Sequence, residues 1–120
     1  MRNLIAVLML AAGLTAMPAD ASRETGNTLA KYCSAPAGNA FEGACYGYII
    51  GVADRLDRDH TSLFGTYCTP ESAPNGQLMK VVKAYLDDNP TQLHRGAHYL
   101  VINALIEGFG CEDGMSYGLH

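Results

Sequence analysis

Cys33, Cys45, Cys68 and Cys111 are the side chains of this chain with the most chemistry to offer, and their spacing restricts what they can do. They follow one another at intervals of 12, 23 and 43 residues with no Cys-x-x-Cys pair, a pattern that fits neither a zinc finger nor a c-type haem attachment site. An even number of cysteines behind an export leader points instead to two disulfides. The leader is Met1–Ala21. A short positive start at Met1-Arg2-Asn3 precedes the apolar run Leu4–Leu14, and Ala19-Asp20-Ala21 supplies the small-x-small cleavage site of a secretory signal peptide. The run is too short to span a membrane, which takes about 20 apolar residues. Cleavage after Ala21 therefore predicts a periplasmic protein, free of the membrane and held in an oxidising space.

The other reactive residues are thinly spread. His60 stands between Asp57 and Asp59 and the loop that follows, the pattern of a solvated turn more than of a catalytic dyad. His94 and His98 are four residues apart but lack the Glu that a zinc protease places after its first histidine. His120 ends the chain. No Gly-x-Ser-x-Gly elbow or glycine-rich phosphate loop occurs. Disulfide formation consumes the thiols. The reading is a binding protein and not an enzyme, with no metal and no cofactor.

Composition narrows the partners. The 120 residues carry a formal net charge of −4, with 8 basic against 12 acidic side chains. That balance disfavours nucleic acid, which needs a basic face, and a polybasic membrane surface equally. A partner protein is the remaining class.

Four helical stretches would position these residues. In Asn27–Cys33, Leu29, Tyr32 and Cys33 share one face. From Ala40 to Arg58, Phe41, Cys45, Tyr48, Ile49, Val52 and Leu56 form a second stripe. Asn75 is an N-cap candidate for a third, in which Leu78, Val81, Val82, Tyr85 and Leu86 repeat at helical spacing until Pro90 intervenes. The fourth, Ala97–Phe109, is apolar almost all round, ends at Gly110, and should be the most buried. The expected fold is all-α: a small bundle of about four helices in residues 22–111, stapled by two disulfides and followed by a mobile tail, 112–120.

Gly43, Gly47 and Gly51 recur every four residues of the second helix. Each glycine costs a helix interior about 1 kcal/mol relative to alanine, so three in register suggest a seam where another backbone approaches closely. Of the three possible disulfide pairings, the local one joins Cys33 to Cys45 across a tight return and Cys68 to Cys111 at one end of a helical hairpin. Between the second helix and Cys68, the segment Asp57–Tyr67 is long for so small a domain. Its Asp57, Asp59, His60, Leu63, Phe64 and Tyr67 are candidate partner contacts, the aromatic residues as anchors and the carboxylates facing a basic partner.

The order Gly26-Asn27-Thr28-Leu29, Tyr32-Cys33, Cys45-Tyr46-Gly47-Tyr48-Ile49-Ile50-Gly51, Cys68, Gly76-Gln77-Leu78, Tyr85-Leu86, Asn89-Pro90, Leu93-His94 and Phe109-Gly110-Cys111 resembles the periplasmic Tai/Rap family of type VI secretion amidase immunity proteins. The resemblance covers about residues 26–111. It implies an all-helical, often dimeric protein that binds and blocks a secreted peptidoglycan amidase. What carries over is framework: Cys33, Cys45, Gly47, Gly51, Cys68, Gly76, Leu78, Tyr85, Pro90, His94 and Cys111. No effector-contact residue carries over. The short segment before Cys68, Gly108 inside the last helix and the nine-residue tail depart from the family pattern. A periplasmic stress or assembly protein of the same fold, binding other proteins without inhibiting an enzyme, is the alternative function.

Overall fold

The structure, a computed structural model, describes residues 22–59, 61–62 and 65–111. The segments expected to be a signal peptide and a tail, and His60, Leu63 and Phe64, lie outside the described residues. Four helices make up the fold: α1 (Gly26–Cys33), α2 (Ala40–Asp59), α3 (Asn75–Asp88) and α4 (Ala97–Phe109). A single turn of 3-10 helix, Pro90–Gln92, lies between α3 and α4. The all-α expectation holds, as does the local disulfide pairing.

Local chemistry sets each start. Thr25 is extended, and its Oγ1 accepts the Thr28 N–H at 3.3 Å, capping α1. Ahead of α2, the Asn39 side chain accepts the Phe41 N–H at 2.8 Å, and the Glu42 carboxylate reaches back to the Gly38 N–H at 2.9 Å. The first bond satisfies a donor that a helix N-terminus leaves orphaned, and the second ties the preceding turn to the first turn of α2. The sequence expectation for α3 is off by one residue. Pro74 holds the cap position and Asn75 is already helical, its amide donating to the Tyr46 hydroxyl at 2.9 Å instead of capping.

α4 is clamped at both ends by backbone from elsewhere. At its start, Thr25 and Gly96 form an antiparallel bridge, with Ala97 N–H donating to Glu24 O at 2.8 Å and Gly26 N–H to Arg95 O at 2.9 Å. At its end, Tyr67 bridges Gly110, and Cys68 N–H donates to Phe109 O at 2.8 Å. Gly110 is extended, at φ −61° and ψ 149°, so its glycine character is not the left-handed stop expected of a helix terminus. Space requires it instead, since a Cβ there would lie 2.5 Å from Ile106 O.

One core runs through the bundle. It takes Leu29 and Cys33 from α1; Cys45, Ile49, Ala53 and Leu56 from α2; Leu78, Val82 and Leu86 from α3; and Ala97, Leu100, Val101, Ala104 and Leu105 from α4. With five buried residues in 13, α4 is the most enclosed element. Tyr32 and Phe41 stack at 5.5 Å beside the Cys33–Cys45 disulfide, which leaves Phe41 53% exposed and not part of the buried stripe. The segment after α2 is more ordered than an open loop. Thr61–Ser62 (β1) and Gly65–Thr66 (β2) pair antiparallel, Thr61 opposite Thr66 and Ser62 opposite Gly65, a two-residue hairpin too short to announce itself by alternation.

Candidate functional surface

No group of three or more His, Cys, Asp or Glu among the described residues is placed to hold a metal ion. His94 lies in the turn before α4 and His98 inside it, so the two do not share a helix face. Both are exposed. The backbone N–H of His98 donates to the Tyr48 hydroxyl, using one of the unpaired donors of the α4 N-terminus to tie α2 to it. Burial raises the Tyr48 hydroxyl above its ordinary pKa of 10.0, and that hydrogen bond only partly opposes the rise.

The glycines are placed otherwise than the sequence suggests. Gly43, Gly47 and Gly51 do form a ridge, but it points away from the core, and a Cβ at any of the three meets nothing within 4 Å. The reason is angular. Cys45, Ile49, Ala53 and Leu56 already occupy the inward side of α2, and the glycines fall opposite them. Among the described residues no backbone comes within 4 Å of a Cβ placed there. The close approach that glycine permits occurs elsewhere: a Cβ on Gly26 would lie 2.9 Å from Leu93 Cα, and one on Gly108 would lie 2.8 Å from Val81 Cγ1.

The candidate contact residues divide three ways. Asp57 and Asp59 are exposed at the end of α2, where Asp59 pairs with Arg55 at 2.8 Å. His60, Leu63 and Phe64 fall outside the described residues. Tyr67 is 1% exposed and belongs to the core. It therefore cannot anchor a partner: the disulfide from Cys68 to Cys111 and the Tyr67–Gly110 bridge draw it beneath the α4 terminus.

Among the described residues, grooves open between the helices, and two of them involve α4. The larger, about 470 Å³, runs between α2 and α4 and is lined by Tyr48, Val52, Leu56, His98 and Ile102 together with Gly47 and Gly51. The smaller, about 290 Å³, lies between α3 and α4, with Val81, Ala84 and Ala104 in its lining and the carboxylates of Asp88 and Glu107 beside it. Sequence periodicity located the helices but gave no sign of either groove, since a groove depends on which helix faces which.

A model of the Rap1a immunity proteins matches residues 25–111. The chain belongs to the Rap1a immunity protein family. The matched span runs from the Thr25 cap of α1 to the final disulfide cysteine, and so coincides with the clamped bundle. No curated protein matches the chain. As a Rap1a immunity protein it works by binding a secreted protein effector, and its two disulfides fit an exported protein. Among the described residues no helix is long and apolar enough to cross a membrane.

Proposed function

We propose that this Rap1a immunity protein acts in the periplasm, after removal of residues 1–21, by binding a peptidoglycan amidase delivered through type VI secretion and occluding its cleft. The match over residues 25–111 carries this reading. The stapled helical framework supports it, because a rigid body that buries its core in one direction leaves whole helix faces free for steric contact. The action requires affinity and not turnover, so neither a catalytic residue nor a cofactor enters it. Asp57 and Asp59, together with His60, Leu63 and Phe64, form one part of the proposed contact region.

The test is protection. A candidate amidase encoded beside this gene, exported to the periplasm, should lyse cells, and co-export of the immunity protein should restore growth and form a complex on gel filtration. Continued lysis with no complex overturns the reading. Suppression of client aggregation by purified protein that leaves the amidase active would favour the stress or assembly role instead.

A further inference from the structure

The α3–α4 groove joins an apolar floor to a negative rim, and the fold itself uses only the floor. Val81, Ala84 and Ala104 line the floor, and Gly108 lets α4 close onto Val81. Asp88 ends α3 and Glu107 lies near the end of α4. The two helices run antiparallel, so the carboxylates stand toward opposite ends of the groove. Both are exposed, and among the described residues neither enters an ion pair. Tyr85 lies between them with its hydroxyl bonded to Asn103. The Arg95 charge is felt at Tyr85, but its guanidinium is already engaged, 3.9 Å above the Tyr99 ring and donating to Gln92 at 3.1 Å.

We infer that this groove receives an arginine or lysine side chain of the effector, its methylene stem lying along Val81, Ala84 and Ala104 and its charged head reaching the carboxylate at one end, Asp88 or Glu107, within the negative field of both. The inference rests on the effector-binding reading above and adds the chemistry of the contact. Charge complementarity selects the occupant. Two carboxylates with no ion pair among the described residues flank a cavity whose described lining includes no lysine or arginine, on a protein whose net charge is −4. Long basic side chains suit such a place because they bury their stems on apolar surface while the head stays polar. A bare metal ion does not fit as well, since the described residues offer no group of three ligands and the floor offers no oxygen.

Two measurements test this on the full mature chain. In the first, N-acetyl-arginine amide is titrated into labelled protein and amide shifts are mapped by NMR. Shifts centred on residues 81–89 and 104–108, lost in D88N/E107Q, are expected; a groove that does not respond overturns the inference. In the second, the affinity for the neighbouring amidase is compared for the unaltered chain, D88N/E107Q and Ala84→Lys, which places an ammonium of the chain's own in the groove. Each variant should bind about tenfold more weakly or worse, with a shallower salt dependence in D88N/E107Q. Thermal melts should show both variants folded, since all three positions are exposed. Unchanged affinity and salt dependence in both variants overturns the inference even if the amidase is bound. Groove shifts without any binding of the amidase by the unaltered chain would leave the cation site standing and refute the amidase reading.

Discussion

Along α2, Cys45, Ile49, Ala53 and Leu56 are sealed against the other helices, while Gly43, Gly47 and Gly51 on the opposite side stand in open space. Both stripes recur at helical spacing, and from spacing alone both look like packing surfaces. The difference lies in what each side chain displaces. The inward stripe removes apolar area from water and gains about 1.5–3 kcal/mol for each fully buried large side chain. The glycine ridge meets none of the other described residues and keeps the entropic cost of glycine in a helix. Stability therefore resides on one side of the helix, and the other side is free to change without unfolding the bundle.

The largest effect should come from cutting the staple that holds the inward side together. Replacing Cys68 and Cys111 by alanine removes a link between residues 43 apart and should cost about 4 kcal/mol, more than any single His→Ala change, as read from denaturant midpoints. Next comes the inward stripe itself. Ile49 is completely buried, and Ile49→Ala should cost about 3 kcal/mol. The outward stripe should respond with the opposite sign. Gly47→Ala meets nothing within 4 Å and should raise stability by about 0.5–1 kcal/mol; a loss would mean that the ridge is covered in the folded protein.

The smallest effect is a pH dependence at the helix contacts. Burial is the main cause that raises Tyr48 and Tyr85 above the ordinary 10.0, and the Glu107 charge adds to it at Tyr85. A raised pKa in the folded state means that folding holds the proton. This contribution is complete below 10.0 and is lost as pH climbs through the raised values. Urea midpoints should fall from about pH 9 to about pH 11, and less steeply in Tyr85→Phe.

Much of this architecture was legible because helical periodicity and burial report the same thing. Leu78, Val82 and Leu86 repeat every four residues and all three are buried. The disulfide pairing was legible because each pair closes the nearer return. The outward glycines were misread because spacing fixes a shared face without saying whether a neighbour lies against it. Tyr67 was misread because its apparent loop is tied by the next residue, Cys68, to the end of α4, a constraint 43 residues away. The α3–α4 groove was illegible for a related reason: Asp88 and Glu107 are 19 positions apart in sequence, and only the antiparallel packing of their helices brings them to one cavity.

The bridges at Thr25–Gly96 and Tyr67–Gly110 secure both termini of the greasiest segment, α4, while α1 shares only the first of them and α3 starts after Pro74 with no side-chain cap. A helix anchored twice has no frayed end from which to unwind, so its amides should be the slowest in the molecule to trade hydrogen for deuterium. Proteases that attack chains as they breathe would then meet the other helices first, and this apolar centre would surface only on complete collapse.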